Sequence, residues 1–357
     1  MGPPPNPEYL SFEDMRKHEN IWKFEQEWNV EVVLQKESVF RRHKRLAVFD
    51  MDSTLIQEEV IDEIARFIGL EKEVSELTML AMNGELDFSA SLKARVGLLK
   101  GVPADVFERL KSTITISPGA RELCSVLKTL GYKMAVVSGG FQPLADWLAG
   151  ELGLDYAFAN HLEIDNITQS LTGNLMPGYP IIDAARKRHI LHTLAADNGI
   201  SMMQTLVVGD GANDLLMLKE AGLGVAWRAK TKVQLEAPTR LNGTSLKDIL
   251  YLLGLQEEDI NELIVAGKAR KAANNLHKMI TRGLISNSRI FIPQHNKKKA
   301  NGVVTYGLFG LGASNLNLYL LGEEIGRFFD CGVPLASVCI PVFFSHAAKK
   351  IYQAIII

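Results

Sequence analysis

The chain has 357 residues, which exceeds a typical single domain, so we expect one large domain or two of modest size. Hydrophobic residues make up 47% of the chain, which is enough for a sizeable buried core. The formal net charge of −2 argues against a nucleic-acid partner, which would favour a strongly basic face.

Cysteine usage and the amino terminus bear on the compartment. The three cysteines, Cys124, Cys331 and Cys339, are too few and too scattered for a disulfide framework or a zinc site. Residues 1–5 lack the charged and apolar regions of a secretory signal. We therefore expect a cytoplasmic protein in a reducing compartment.

Residues 1–43 form an extension before the first core strand. They open with a proline-rich start, and their pattern predicts a helix over 12–28 and a strand over 30–35. The basic run 41–45 directly abuts a buried strand. We interpret this run as a solvated linker rather than an anion-binding patch or a localisation signal.

Two carboxylates follow the first apolar run, Leu46–Phe49, which is typical of a strand buried on both faces of a parallel sheet. Residues two apart in extended chain point to the same side, so Asp50 and Asp52 would both face the crevice beyond the strand's carboxyl end. Two like charges this close resist ionising together, unless a cation joins them or one keeps its proton. The alternative is a strand that runs into a polar turn, where aspartate, serine and threonine are common, as at Asp52, Ser53 and Thr54.

Four helical patterns follow without a strand between them, at 58–69, 71–83, 89–99 and 103–112. The first carries apolar residues at the 3.6-residue period of an amphipathic helix. An all-helical insert over residues 57–114 predicts a cap that stands over the crevice.

Strands and helices then alternate along the chain. The pattern predicts strands at 133–140, 156–160, 205–209 and 222–227, helices at 120–130, 143–152, 183–198, 215–221 and 245–253, and a β-hairpin at 162–176. Such alternation indicates an α/β fold: a doubly wound, parallel, Rossmann-like sheet with a small helical cap inserted after its first strand. The predicted core comprises residues 44–56 and 115–255.

Residues 256–357 form a carboxyl-terminal extension, and its character changes at about residue 268. A basic, helix-like stretch comes first, whereas 300–322 and 331–348 contain no aspartate, glutamate, lysine or arginine. Both uncharged stretches reach the length of a membrane span, but five glycines loosen the first and two prolines interrupt the second. We expect a poorly packed tail here rather than membrane spans.

Three strand ends supply complementary chemistry to one crevice. They provide carboxylates at Asp50 and Asp52, the Ser138 hydroxyl with the Gly139 backbone amide, and further carboxylates at Asp210 and Asp214. Backbone amides at glycine-rich turns form a nest for an anion. Oxygen ligands without histidine or thiol suit magnesium, which also takes a phosphate oxygen. With a lysine to neutralise phosphate charge, these groups meet the requirements for phosphoryl transfer to an aspartate.

With these motifs the sequence resembles the haloacid dehalogenase-like hydrolases, and within them the phosphoserine phosphatases. The resemblance covers residues from about 44 to about 255. It rests on four motifs in the family's order: Asp50-Met51-Asp52-Ser53-Thr54, Val137-Ser138-Gly139-Gly140, a helical Lys187, and Gly209-Asp210-Gly211-Ala212-Asn213-Asp214. The narrower assignment rests on the acidic stretch 58–63 and on Asp87-Phe88 followed by 91–96.

For the chemistry, the resemblance implies that Asp50 attacks phosphorus and becomes an aspartyl-phosphate. Asp52 protonates the leaving serine oxygen and then deprotonates the water that hydrolyses the intermediate. Mg²⁺ is held by the carboxylates of Asp50 and Asp210 and by the backbone carbonyl of Asp52, and Asp214 supports it.

For the substrate, the resemblance implies one set of residues around the phosphoryl group: Ser138, Gly139, Lys187 and Asn213. In the cap, Glu59 would pair with the substrate ammonium and Arg95 would grip its carboxylate. Met82 and Phe88 would close an apolar wall over the substrate. The implied activity is Mg²⁺-dependent hydrolysis of O-phospho-L-serine to L-serine and phosphate, the last step of serine biosynthesis.

Simpler interpretations stay open for individual residues. Asp210 and Asp214 could cap a helix, Met82 and Phe88 could belong to the core, and Lys187 lies in a basic stretch typical of a solvated face. Glu59 and Arg95 have charged neighbours and, without the resemblance, are as typical of a surface as of a substrate pocket.

Other functions stay open as well. The same chemistry could act on another small phosphomonoester or transfer the phosphoryl group to a second alcohol. A different class is a non-catalytic scaffold that its tail anchors to a membrane or partner, and an oligomer is possible. Many relatives carry a ferredoxin-like regulatory domain upstream, but residues 1–43 are too short for it, so we expect no feedback control through such a domain.

Overall fold

The structure is a computed structural model that describes residues 14–15, 17–35, 38–82 and 87–281. The chain divides into two compact units, Met1–Asn261 and Glu262–Ile357. The uncharged stretches predicted as a poorly packed tail lie outside the described residues. Among the helices of the described ranges, none combines the length and the hydropathy that a membrane crossing requires.

One parallel sheet forms the centre of the first unit. The strands of the described residues are β1 Leu46–Phe49, β2 Lys133–Phe141, β3 Tyr156–Asn160, β4 Leu162–Asp165, β5 Ser170–Leu175, β6 Thr205–Gly209, β7 Leu223–Trp227 and β8 Thr239–Leu241. Six of them pair in the order β3-β2-β1-β6-β7-β8, all parallel, and β4 and β5 form a separate antiparallel pair. The predicted doubly wound α/β fold and the predicted hairpin are confirmed.

Helices connect the strands. They are α1 Glu19–Trp28, α2 Val60–Ile68, α3 Glu71–Met82, α4 Phe88–Leu98, α5 Val106–Leu110, α6 Ala120–Thr129, α7 Gln142–Leu152, α8 Ala184–Asp197, α9 Leu215–Glu220, α10 Thr231–Glu236, α11 Ile249–Leu252 and α12 Glu257–Thr281. Helices α2 to α5 occupy the insert after β1. Their role as a cap, and the domain boundaries drawn from the sequence, stay predictions.

The core explains why β1 is apolar throughout. Leu46 and Val48 are fully buried and belong to one cluster with Leu191 and Leu194 of α8. Successive residues of a strand face opposite sides, so Phe49 points to the other layer of helices. Full burial of each large apolar side chain contributes about 1.5–3 kcal/mol. This two-sided packing fixes the strand, and with it the position of the residue that follows Phe49.

The predicted strand at 30–35 is wrong, because these residues form no strand. Hydrogen bonds to side chains hold this segment instead. Val32 N donates to Glu25 Oε1 at 2.8 Å, and the carboxylate of Glu31 accepts from Asn242 N at 2.7 Å. Asn242 directly follows β8, a three-residue strand that the sequence pattern did not predict.

Two further predictions differ from the structure in length. The helix predicted over 245–253 is divided into a 3₁₀ turn, Leu246–Asp248, and α11. The last described helix, α12, begins at Glu257, well before the basic stretch that the sequence suggested as helical. Its first turn carries three acidic residues, which favour a helix start because they oppose the positive end of the helix dipole.

Candidate active site

Strand register brings the acidic strand ends together. Phe49 at the end of β1 is level with Val136 on β2 and with Val208 on β6. Asp50 directly follows Phe49, and Asp210 follows the last residue of β6, so both carboxylates leave the same edge of the sheet. This edge lies beyond the carboxyl ends of parallel strands, where α/β proteins bind their ligands.

A buried lysine contacts two of these carboxylates. Lys187 Nζ lies 2.8 Å from Asp50 Oδ1 and 2.7 Å from Asp214 Oδ1, and the Lys187 side chain is fully buried. Asp183 caps the amino terminus of α8 by accepting from Arg186 N at 2.7 Å, which places Lys187 in the first turn. The alternative interpretation of Lys187 as part of a solvated face is therefore wrong.

The charges in this cluster do not balance. One carboxylate oxygen from each of Asp50, Asp210 and Asp214 can lie within 4.8 Å of the others, and Lys187 supplies one ammonium against three carboxylates. Burial, and then the charges of Asp50 and Glu59, raise the pKa of Asp210 to about 7. A divalent cation held by hard oxygen ligands would offset this repulsion. The residues present therefore fit a metal site.

Lys187 keeps its charge in this setting. Burial alone would lower the pKa of Lys187, but the carboxylates of Asp214 and Asp50 outweigh it and raise the pKa above its ordinary value. Asp214 also accepts from Gly211 N through Oδ2 at 3.0 Å, which fixes the acidic turn after β6. Both oxygens of Asp214 are thus used in holding the cluster together.

Asp52 differs from the other acids in its surroundings. Its Oδ1 is buried and has no hydrogen-bond partner among the described residues. Burial, then the negative charges of Glu59 and Asp50, raise the pKa of Asp52 well above its ordinary range. The protonated form is therefore favoured, which suits a proton donor. Its carboxylate is not part of the three-carboxylate cluster, and the predicted metal contact through its backbone carbonyl stays a prediction.

A tight turn over Met51–Leu55 sets these orientations. Met51 N donates to Asp50 Oδ1 at 2.8 Å, and Ser53 takes a left-handed conformation with φ of 53°. Thr54 is fully buried and its Oγ1 donates to Asp210 Oδ1 at 3.2 Å. Thr54 was part of a motif in the sequence but was not selected as a site residue. Its role follows only from the approach of β6 to this turn.

The second strand end presents a hydroxyl and backbone amides. Ser138 is fully buried, and its Oγ accepts from Gly140 N at 2.8 Å. Asn160 Nδ2 donates to Gly139 O at 2.8 Å, while Asn160 Oδ1 accepts from Ile182 N at 2.9 Å. Sequence reasoning missed Asn160. The available signal was that this amide ends β3, beside the glycines that end β2.

Gly139 lies under side chains from two other elements. A Cβ at Gly139 would lie 3.3 Å from Phe88 Cζ and 3.8 Å from Asn213 Nδ2. The structure thus brings together three predicted site residues, one from α4 and two from the sheet edge. Met82 ends α3, but its side chain lies outside the part of the chain that the structure describes.

The predicted amino-acid contacts lie on the helical insert. Ser53 Oγ donates to Glu59 Oε1 at 2.7 Å. Burial lowers the pKa of Arg95, and the charges of Asp62, Glu59 and Asp52 act against this effect. Arg95 therefore lies within the electrostatic reach of Asp62, Glu59 and Asp52. Asp62 lies in the acidic stretch 58–63 and was not selected individually from the sequence.

Comparisons with known proteins find similar chains. A probable phosphoserine phosphatase of Schizosaccharomyces pombe is 48% identical over 236 residues, which cover 66% of this chain and 78% of the relative. A phosphoserine phosphatase of Archaeoglobus fulgidus is 48% identical over 229 residues, covering 64% of this chain and 65% of the relative.

A solved structure and a family model extend the comparison. The structure, a phospho-aspartyl intermediate analogue of phosphoserine phosphatase, has a TM-score of 0.54 and 43% identity. The match covers 58% of this chain and 98% of that one. The family model of haloacid dehalogenase-like hydrolases matches residues 44–222, half of the chain. The chain belongs to the haloacid dehalogenase-like hydrolase family.

Proposed function

We propose that this chain hydrolyses O-phospho-L-serine to L-serine and phosphate, with Mg²⁺ as its metal and an aspartyl-phosphate as its intermediate. The observation that carries the proposal is the buried cluster in which Lys187 contacts Asp50 and Asp214 at the carboxyl edge of the sheet. The similarity to phosphoserine phosphatases across the core and the helical insert supports the choice of substrate.

Asp50 is the proposed nucleophile. Its Oδ1 accepts from Met51 N and from Lys187 Nζ, so one oxygen is fixed and Oδ2 is the oxygen that we assign to the attack. In the first step Oδ2 forms a bond to phosphorus, and the bond from phosphorus to the serine oxygen breaks. Two contacts on a single oxygen hold the carboxylate for attack without consuming the second oxygen.

Asp52 is the proposed acid and base. Its raised pKa favours the protonated carboxyl group, which can donate its proton to the departing serine oxygen. The resulting carboxylate then accepts a proton from the water that attacks the aspartyl-phosphate, which releases phosphate and restores both aspartates. The unpaired buried Oδ1 supports this assignment, since no described residue competes for it.

Charge on the phosphoryl group needs positive partners. A Mg²⁺ ion held by Asp50, Asp210 and Asp214 would supply a Lewis acid that stabilises negative charge on the phosphoryl oxygens. Lys187 adds a fixed ammonium from the protein, and the Gly139 amide and the Ser138 hydroxyl are the proposed hydrogen-bond donors. Such preorganised donors contribute strongly when water is excluded.

Substrate selection is assigned to the helical insert, which we propose to be a cap. Glu59 would pair with the ammonium of the substrate, and Ser53 holds one of its oxygens in place. Arg95 Nε donates to Ser91 O at 3.4 Å, so its two terminal nitrogens remain to grip a carboxylate as a fork. The position of Phe88 above Gly139 supports closure of the insert over the phosphoryl pocket.

Arg95→Ala tests the substrate assignment. We expect kcat/KM for phosphoserine to fall about 100-fold, because the truncation leaves a substrate carboxylate unpaired. The value for para-nitrophenyl phosphate, which has no carboxylate, should change less than about threefold. Phosphate release with Mg²⁺ measures both, and phosphothreonine and phosphohomoserine complete the substrate panel.

Arg109→Ala is the matched control, because Arg109 is an exposed arginine of the same insert paired with Asp105 at 2.9 Å. It should leave both substrates unaffected. Equal losses on phosphoserine and the aryl phosphate in Arg95→Ala would refute the assignment of Arg95 to the substrate carboxylate. If the unaltered chain hydrolysed only the aryl phosphate, the proposed mechanism would stand, but phosphoserine would be refuted as the substrate.

A further inference from the structure

A cavity lies at the opposite end of the sheet from the proposed catalytic carboxylates. Its volume is about 540 Å³, and it is bounded by the residues that precede the three central strands. Arg45 precedes β1, Tyr132 precedes β2 and Gln204 precedes β6. Backbone bonds join them, from Arg45 N to Gln204 O at 2.7 Å and from Lys133 N to Arg45 O at 2.8 Å. The floor of the cavity is therefore built on the sheet itself.

The charged side chains that line this cavity are all basic. Arg42, His43, Lys44 and Arg45 line it, and no aspartate or glutamate does. Within the described residues, Arg42, Lys44 and Arg45 form no ion pair with an acidic side chain. The sequence led us to interpret this run as a solvated linker, and Arg42, His43 and Arg45 are exposed, but Lys44 is only 5% exposed. Its stem passes inward instead of into solvent.

Two polar groups of largely buried side chains in the lining have hydrogen-bonding capacity left. Lys44 Nζ donates one hydrogen bond, to Met203 O at 2.7 Å, although an ammonium offers three donors. Burial lowers the pKa of Lys44 to about 8, which reflects the missing counter-charge. The Tyr132 side chain is only 6% exposed, and its hydroxyl makes no hydrogen bond with any described residue. The Tyr132 hydroxyl and the Lys44 ammonium can therefore each still form a hydrogen bond to a ligand in the cavity.

The remaining wall is apolar, with Phe40, Leu130, Leu253 and Leu255 among its lining residues. We propose that this cavity binds a small organic anion, whose carboxylate or phosphate group meets Lys44, Arg45 and the Tyr132 hydroxyl while its apolar body lies against the leucines. Cavities of about 300–1,000 Å³ with a few convergent polar groups are typical of small-molecule sites. Guanidinium and ammonium groups together match an oxyanion.

This site is separate from the proposed active site and does not depend on it. Lys44 and Asp50 lie at the two ends of β1, roughly 20 Å apart at the rise of about 3.3 Å per residue of a strand. A ligand of the cavity should therefore bind without competing with a ligand of the catalytic carboxylates. The Asp50→Asn variant should bind the anion as the unaltered chain does.

Calorimetric titration of the full chain tests the proposal. The probes are benzoate and phenylphosphonate, which combine an anionic group with an apolar ring. Inorganic phosphate represents the anionic group without the ring, and benzyl alcohol represents the ring without the charge. We expect saturable binding of at least one complete probe below about 10 mM and no binding of benzyl alcohol. Arg45→Gln and Tyr132→Phe should each weaken binding about tenfold, because each removes a hydrogen bond to a charged group.

Arg41→Gln is the matched control, since Arg41 belongs to the same basic run but does not line the cavity. It should leave the affinity unchanged. Tyr132→Phe removes a single oxygen and so keeps the test valid if a charge variant fails to fold. The proposal is overturned if neither complete probe binds, if Arg45→Gln and Tyr132→Phe bind like Arg41→Gln, or if Asp50→Asn alone abolishes binding. If Arg45→Gln weakens the binding of inorganic phosphate as much as that of phenylphosphonate, and the two bind the unaltered chain equally tightly, the organic class of ligand is refuted.

Discussion

Lys187 is held in place by opposite charges on two sides. A fully buried ammonium without partners would cost several kcal/mol. Here Asp50 and Asp214 approach it to 2.8 and 2.7 Å, and they in turn would repel each other without it. The same contact therefore fixes the proposed nucleophile and balances part of the buried charge. Removal of Lys187 would leave these carboxylates without their ammonium partner, so structure and chemistry are coupled at this residue.

We propose that Asn160 positions the Gly139 turn of the proposed phosphoryl pocket. Its amide joins Gly139 O to Ile182 N, with both hydrogen bonds shorter than 3.0 Å and the side chain 2% exposed. We expect Asn160→Ala to lower the free energy of unfolding by about 1–3 kcal/mol, because two buried groups lose their partner. We also expect kcat for phosphoserine to fall about tenfold as the Gly139 amide shifts. Urea unfolding and steady-state kinetics at 25 °C measure the two effects.

Asn174→Ala serves as the control, since Asn174 is an exposed asparagine whose side chain donates to Glu163 Oε2 at 3.2 Å. It should change neither quantity appreciably. Asn160→Asp keeps the acceptor for Ile182 N and loses the donor for Gly139 O. If this variant kept full kcat, the link from Asn160 to the phosphoryl pocket would be wrong, whatever the loss in stability.

Helix α1 and strand β8 are held together by the side chain of Arg240. Arg240 of β8 forms an ion pair with Glu25, and its guanidinium lies 3.9 Å from the centre of the Trp22 ring. Glu31 approaches the same guanidinium at 3.9 Å. These contacts cover the edge strand of the sheet, which would otherwise offer unpaired backbone groups to another chain.

We expect Arg240→Ala to lower the free energy of unfolding by about 3 kcal/mol, because it leaves a largely buried carboxylate at Glu25 without its partner. The activity of the folded protein at 25 °C should be unchanged. Lys219→Ala is the control, because Lys219 pairs with Glu236 at 3.0 Å on the exposed surface and should cost less than about 1 kcal/mol. Equal losses of unfolding free energy in Arg240→Ala and Lys219→Ala would contradict a stabilising role for the contacts of Arg240.

Elements with strong periodicity could be predicted from the sequence, and elements fixed by distant contacts could not. The buried strands and amphipathic helices of the core carry their pattern in every residue. Strand β8 has three residues, too few for a period of two to show. The apolar segment 30–35 has a strand-like pattern, yet Glu31 bonds to Asn242 and no neighbouring strand pairs with it. Its place depends on a partner more than two hundred residues away.

At the scale of the whole molecule, the candidate site also contains residues that local sequence motifs predict and residues that only distant contacts bring into place. Asp50, Lys187 and Asp210 could be selected because each lies in a motif whose order along the chain is characteristic of the family. Thr54 and Asn160 could not, because their roles arise where β6 and the segment before α8 approach other strand ends. The basic cavity at the opposite edge was likewise hidden, since three strand starts must meet before its lining exists.

The central claim is that Asp50 carries the phosphoryl group, and acid-quenched mass spectrometry tests it most directly. The full chain is mixed with phosphoserine and Mg²⁺, quenched within one turnover and digested. We predict a phosphate adduct on the peptide that contains Asp50, absent from Asp50→Asn and from samples with chelator. Asp105→Asn, a change at an exposed acid of the insert, should retain the adduct. Turnover without an adduct at Asp50, or full turnover by Asp50→Asn, would contradict the account.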